Sequence, residues 1–319
     1  MKAAVVHDFN APPRYDDFTP PVAEAGENLI QVRAAALSQL VKAQASGRHY
    51  SSGKTLPLVP GVDGVGLLPN GRRVYFAFPR KLFGSMAETS VVQLDNCVEI
   101  PDGVDDVTAA AIGNPGMSSW AALLDRARFV PGENVLINGA TGVSGRLAIQ
   151  IAKHLGAAKV IVTGRNARSV EGLAALGADI MIPLDAPADQ LQDSFREALH
   201  THKVNVVLDY LWGPSAECLL QAAAGHGSHS GEPRIRYVQI GSLTGNNISL
   251  PGSLLRSSGL ELMGSGLGSV SNAGLVRAVG GVLRSIESAG LSISTQAVAL
   301  QDVEHAWSQE DSARLVFTV

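Results

Sequence analysis

The sequence predicts an α/β protein of two lobes, one a doubly wound parallel sheet and the other β-rich. Three observations carry that expectation. From Ser118 onward, segments of helical period alternate with short apolar runs, the pattern of right-handed crossovers joining parallel strands. The first hundred residues instead show short apolar runs cut by turn residues. The chain has 319 residues, more than one hydrophobic core usually serves, so two units are expected.

The first lobe is expected to hold strands at Lys2–His7, Asn28–Ala34, Gly64–Leu68, Arg73–Phe78 and Ser90–Ile100. The turn Pro101-Asp102-Gly103-Val104 then leads into an alanine-rich helix predicted over Asp105–Gly113. The second lobe is expected to begin with helix Ser118–Ala127, strand Asn134–Asn138 and helix Ser144–Leu155. Strand Lys159–Thr163, helix Ala167–Leu176, strand Ile180–Pro183, helix Ala188–His200 and strand Val204–Leu208 follow. Helix Pro214–Ala224 and strands Arg236–Ile240 and Leu260–Gly264 complete the alternation, and helix Asn272–Ser288 and strand Leu315–Val319 close the chain. Between Gly225 and Pro233, glycines mix with His226, Ser228, His229 and Ser230, which is loop chemistry. Two histidines in a glycine-rich loop are a poor start for a metal site.

Composition narrows the function. Hydrophobic residues are 45%, charged residues 17% and aromatics 5%, with 34 glycines, as in a glycine-rich globular α/β protein. A net charge of −4 provides no broad cationic field, so binding driven by nucleic-acid phosphates is not expected. Two cysteines, Cys97 and Cys218, cannot make a disulfide framework or a closed thiolate zinc site and are expected as buried thiols. The amino terminus meets Asp8 before a signal-peptide core can form, and no apolar run reaches membrane-spanning length, so a cytoplasmic protein without a membrane role is expected.

The most informative stretch follows strand Val135-Leu136-Ile137-Asn138. There Gly139-Ala140-Thr141-Gly142-Val143-Ser144-Gly145 opens a helix whose apolar positions Leu147, Ala148, Ile151, Ala152 and Leu155 have helical spacing. Ala140, Gly142 and Gly145 read A-x-G-x-x-G, one substitution from the dinucleotide fingerprint. Gly142 would let the backbone approach a pyrophosphate, Gly145 would let the helix pack tightly on the strand, and free amides at the helix start would face the anion. Ala140 fits if its φ is negative. The next strand ends in Gly164-Arg165-Asn166, with Arg168 just after. An NAD site would place a carboxylate there, whereas a guanidinium fork suits the 2′-phosphate of NADPH, so NADPH is the expected cofactor. The plainer alternative is arginines solvating a helix start.

Further segments give the chain a family resemblance. They are Ala35-Ala36-Leu37-Ser38-Gln39-Leu40, Pro60-Gly61-Val62-Asp63-Gly64-Val65-Gly66, Asn114-Pro115-Gly116-Met117-Ser118-Ser119-Trp120, the Gly139–Gly145 turn, Gly177-Ala178-Asp179, Asp209, and Ile240-Gly241-Ser242. Together they resemble the medium-chain dehydrogenase/reductase superfamily over nearly the whole chain, and its zinc-free quinone oxidoreductase branch in particular. The resemblance implies a Rossmann nucleotide domain over 115–267 and a GroES-like substrate domain from 1–114 and 268–319. It also implies a cofactor lying in the cleft between them, and a homodimer paired through the edge strand at Leu260–Gly264.

In zinc-using relatives a cysteine, a histidine and a second cysteine hold the catalytic metal; Ser38, Val62 and Pro115 stand in those positions here, so no metal is expected. Ser38 also stands where zinc-free relatives often carry asparagine, and Leu184 where they carry a tyrosine beside the adenosine phosphate. By the same resemblance, Gly241, Ser242 and Leu243 line the nicotinamide, and Tyr50, shortly before the Pro60-Gly61 segment, is the candidate proton donor. Ser38 and His49 are the reserves. The resemblance thus implies zinc-independent hydride transfer from NADPH to a quinone or an α,β-unsaturated carbonyl, substrates that accept hydride without a Lewis acid. A ketone or secondary-alcohol oxidoreductase, or an NADPH-binding protein with a structural or regulatory duty, are the alternatives.

Overall fold

The computed structural model describes residues 1–49, 52–224, 232–309 and 313–319. It divides into two compact units, Met1–Asn114 with Val276–Val319, and Pro115–Leu275.

The second unit contains a six-stranded sheet. Its strands, in chain order, are Asn134–Asn138, Lys159–Gly164, Ile180–Pro183, Val204–Asp209, Arg234–Gln239 and Gly259–Gly264. Every neighbouring pair is parallel, and the spatial order is third, second, first, fourth, fifth, sixth. The doubly wound fold expected from the alternation is therefore present. Val135, Leu136, Ile137, Val160, Ile161, Val162, Val206, Val207 and Leu208 are all fully buried, which is why these strands read as unbroken apolar runs. The strand order reverses between Asn134–Asn138 and Val204–Asp209, and in such sheets ligands bind beyond the carboxyl ends at that switch point.

The first unit is β-rich. A seven-stranded sheet joins Glu27–Ala36, Asp63–Leu67, Arg73–Ala77, Thr89–Gln93, Cys97–Glu99, Thr295–Ala299 and Arg314–Thr318, and Lys2–Val5 pairs with Arg14–Asp17 beside it. One core of this unit gathers Ala3, Val5, Val41, Met86, Val303 and Phe317.

Several elements differ from the sequence expectation for identifiable reasons. The helices expected over Asp105–Gly113 and Ser118–Ala127 are one helix, Asp106–Ala121, running through Pro115 into a π-type turn at Ala122–Arg126. Gly113 is no stop signal. A Cβ there would lie 2.3 Å from the Tyr75 ring, so the glycine permits a close approach. The helix expected over Ala167–Leu176 breaks after Ala167–Val170, because Glu171 turns extended and Gly172 takes φ +80° before a short 3-10 turn at Ala174–Leu176. The run Ser90–Ile100 is two strands separated by the turn Leu94–Asn96. Strand Arg14–Asp17 escapes pattern reading because all four of its residues are polar or aromatic, and Lys2 pairs with Asp17 across it. Cys97 and Cys218 are half-buried free thiols, not fully buried ones. Most of the Gly225–Pro233 segment, including both histidines, lies outside the described residues.

Candidate functional site

The glycine turn leaves the first strand of the parallel sheet and opens helix Val143–His154. Left-handed backbone is needed once, and it falls on Gly139 at φ +91°. Ala140, the departure from the fingerprint, has no positive φ and is fully buried, so its methyl group costs nothing. Gly145 has a different duty. A Cβ there would sit 2.5 Å from both the Ala140 Cα and the Gly139 carbonyl oxygen, so only glycine lets the helix lie this close to the turn.

Gly142 is the helix N-cap, with φ −77° and ψ 171°, and no side chain caps the helix. Among the described residues nothing lies within 4 Å of where its Cβ would be. This glycine is required neither by its φ nor by its protein neighbours. Its bare, open flank beside uncapped first-turn amides leaves room for a phosphate to approach the main chain, and so the turn fits a dinucleotide pyrophosphate. Thr141, Val143 and Ser144 contribute the remaining turn backbone.

The second strand ends against this turn. Ala140 N–H donates to the Thr163 carbonyl at 2.9 Å, and a Cβ on Gly164 would meet Thr141 Cγ2 at 2.7 Å. Arg165 and Arg168 follow, both exposed and without an ion pair among the described residues. Asn166 caps the short helix Ala167–Val170 in a capping box, its Oδ1 accepting from Ser169 N–H at 2.9 Å.

Gly241, Ser242 and Leu243 follow the fifth strand, and Leu243 is 79% exposed. A Cβ on Gly241 would lie 2.7 Å from the Tyr210 carbonyl, so this loop is pressed onto the end of the fourth strand. Tyr210 in turn donates its N–H to the Asn138 carbonyl at 3.0 Å. The structure thus brings the glycine turn, the Gly164–Arg168 segment and the Gly241–Leu243 loop to one edge of one sheet. Burial pushes the Tyr210 hydroxyl up to about 12, so it stays protonated, with Ser118 Oγ 3.4 Å away.

Behind these loops is a buried polar group that the sequence reading largely missed. Asp209, Asn138, Thr163 and Tyr237 are all fully buried. Burial raises the Asp209 carboxyl above its ordinary range, while bonds from Tyr237, Leu211, Trp212 and Asn138 oppose the shift. A signal was available in the sequence. Asn138, Thr163 and Asp209 each follow three apolar residues at or near the end of a buried strand, where a polar side chain needs a partner.

In the first unit, Ser38 caps helix Gln39–Ala45, its Oγ accepting from Val41 N–H at 3.1 Å, a role no residue pattern had assigned to it. Tyr50 lies outside the described residues, and His49 is half-buried. Asp63 is buried with Tyr75, Asn114 and Arg314 around it. Asn114 Nδ2 donates to its carboxylate, and Arg314 presents two guanidinium nitrogens, Nε and Nη2, that have no hydrogen-bond partner among the described residues. Burial pushes the Asp63 carboxyl up to about 6 against the pull of Arg314 and its donors. Val62 is half-buried and Pro115 buried inside its helix, and neither side chain can ligate zinc.

Comparison with known proteins agrees with this architecture. A zinc-binding dehydrogenase family matches residues 144–274. The chain is 29% identical to "Probable NADPH-dependent quinone reductase tdiC" of Emericella nidulans, over 98% of both chains. It is 33% identical to the chloroplastic NADPH-dependent alkenal/one oxidoreductase of Arabidopsis thaliana, over 52% of this chain and 46% of that protein. Among solved structures, the quinone oxidoreductase of Thermus thermophilus, described with its NADPH complex, superposes with a TM-score of 0.80 at 24% identity, covering all of both chains. The full-length relative and the shared fold thus agree with the resemblance to the medium-chain dehydrogenase/reductase superfamily and its quinone oxidoreductase-like branch.

Proposed function

We propose that this protein is a zinc-independent, NADPH-dependent oxidoreductase that reduces a quinone or an α,β-unsaturated carbonyl. The observation that carries the reading is the Gly142 flank, open and uncapped at the switch point of the sheet, with Arg165 and Arg168 rather than a carboxylate after the second strand. The names of tdiC and of the Arabidopsis oxidoreductase support the cofactor and the substrate class.

NADPH, when bound, supplies a hydride at its nicotinamide. The residues proposed to hold it are Ala140, Thr141, Gly142, Val143, Ser144 and Gly145 at the pyrophosphate, Gly164, Arg165, Asn166 and Arg168 at the adenosine end, and Gly241, Ser242 and Leu243 at the nicotinamide. The proposed domains are 115–267 for the cofactor and 1–114 with 268–319 for the substrate. Tyr50 is the proposed proton donor, with Ser38 in reserve, because a phenol is protonated at neutral pH and can donate to a developing oxyanion. Ser38, Val62 and Pro115 supply no thiolate, imidazole or carboxylate, so the chemistry is assigned to positioning and hydrogen bonding rather than to zinc. A homodimer through the edge strand Gly259–Gly264, and a cytoplasmic location, complete the proposal.

The test is NADPH consumption, followed by nicotinamide absorbance, with quinones, enones and simple ketones, alongside metal analysis of the pure protein. Turnover with quinones or enones and no stoichiometric zinc is expected. Tight NADPH binding with no turnover on any acceptor would reassign the protein to a non-catalytic role, and bound zinc would overturn the metal-free mechanism.

A further inference from the structure

Asp209 joins three loops through one carboxylate and its own main chain. Oδ1 accepts from Asn138 Nδ2 at 2.8 Å and from Leu211 N–H at 2.9 Å, Oδ2 accepts from the Tyr237 hydroxyl at 2.7 Å, and Trp212 N–H reaches Oδ1 at 3.1 Å. Beyond Asn138 the chain of bonds continues. Thr163 Oγ1 donates to Asn138 Oδ1 at 2.7 Å and accepts from Gly139 N–H at 2.9 Å. Two side chains therefore connect the carboxylate to the first amide of the glycine turn. The Asp209 carbonyl accepts from Ile240 N–H at 2.7 Å and from Gly241 N–H at 3.1 Å, which ties in the third loop.

The loops so joined leave no slack. A Cβ on Gly139 would lie 2.7 Å from Leu211 Cγ, and one on Gly213 would lie 2.9 Å from the Thr244 carbonyl. Trp212 is held at φ +58° and ψ −159°, a backbone region that disfavours every residue but glycine, and its N–H is the group that Asp209 grips. A buried carboxylate is a poor device for stability alone, since desolvating it is costly and a well-packed apolar group often does as well. What it adds is direction: each of its donors is satisfied in only one arrangement of the loops.

We propose that Asp209 is the positioning residue of the cofactor site, its carboxylate setting the glycine turn in register with the loops at 210–213 and 241–244. This rests on the NADPH reading above. It assigns Asn138 and Thr163 as the relay between Asp209 and the turn, and Tyr237 as the donor that orients the carboxylate from the far side.

The test uses the full chain and measures the NADPH dissociation constant by fluorescence titration, the melting temperature, and kcat and KM with an accepted quinone. Thr163→Val removes the relay hydroxyl in a side chain of equal shape and leaves Gly139 N–H without its partner. Its NADPH dissociation constant should rise about tenfold or more, the loss expected for one unmet buried hydrogen bond. The effect should fall on dissociation constant and KM more than on kcat at saturation, and Thr163→Ser should restore most of it. Asp209→Asn should weaken binding further, because an amide turns a donor toward groups that themselves donate. If Asp209→Asn does not fold, Thr163→Val and its rescue decide alone. Wild-type NADPH affinity in a folded Thr163→Val variant would overturn the proposal, as would a drop in melting temperature with no change in dissociation constant. A wild-type chain that does not bind NADPH would overturn the cofactor reading itself, and the proposal with it.

Discussion

Gly145 meets Ala140 so closely that a Cβ on the glycine would stand 2.5 Å from the alanine Cα, whereas Gly142, three residues earlier, has no described residue within 4 Å of its own Cβ position. Two glycines of one motif thus differ in their surroundings: Gly145 is pressed against the protein, and Gly142 has an open flank, the one proposed to face the cofactor. Gly145→Ala should destabilise the chain by about 2 kcal/mol through overpacking, seen as a lower melting temperature without cofactor. Gly142→Ala should cost about 1 kcal/mol or less, since its backbone is open to any residue, yet should weaken NADPH binding in a titration. Equal stability losses in the two variants would show that the flank of Gly142 is not a ligand surface.

Arg165 is exposed and without an ion pair among the described residues, so its removal should cost little stability. Arg165→Ala should raise KM for NADPH about tenfold or more, the worth of a lost charge-assisted bond, and change KM for NADH far less. Steady-state assays with both cofactors check this. An equal effect on both would move the 2′-phosphate site elsewhere.

The Asp63 carboxyl carries a pH prediction. It titrates near 3.8 when unfolded and is pushed up to about 6 by burial in the fold, so the folded state holds its proton more tightly. The stability this contributes is complete below pH 4 and is lost as pH rises through 6. At 1.36 kcal/mol per unit, the full loss is about 3 kcal/mol. Asp63→Asn should remove this share of the decline, which melting temperatures of both proteins at pH 5 and pH 7.5 would reveal. Parallel curves for the two proteins would mean that Arg314, Asn114 and Tyr75 keep the carboxylate charged throughout.

Arg236 crosses the second unit almost fully buried, donating to the Ala127 carbonyl at 2.7 Å and paired with Glu133. Glu133→Ala leaves that guanidinium without its counter-charge and should lower stability by about 3 kcal/mol. Adding Arg236→Met should recover part of the loss, so that the double variant is more stable than the sum of the singles. Chemical denaturation of the three variants checks it.

Much of the second unit was legible along the chain. Its central strands are buried on both faces and so read as continuous apolar runs, and its glycine turn joins strand and helix without a gap, so the order of elements and the fingerprint both lie in local sequence. The first unit was less legible. Arg14–Asp17 has no apolar alternation, Ser38 turned out to cap a helix, and the Asp106–Ala121 helix passes through a glycine and a proline that would ordinarily end one.

By itself, the sequence determined the glycine turn between strand and helix and the basic end of the second strand, because each depends only on residue identity at local spacing, while the reading of Ser38, Val62 and Pro115 as positions without zinc ligands rests on the family resemblance. Only the tertiary structure decided that left-handed backbone falls on Gly139 rather than Ala140, that Asn166 caps a short helix, and that Asn138, Thr163, Asp209 and Tyr237 form one network. Asn138 and Asp209 are 71 residues apart, and Asn138 and Thr163 are 25 apart. A residue pattern shows which face of a strand is buried, but hydrogen-bond partners across a parallel sheet are chosen by strand order and register, and those exist only once the sheet has formed.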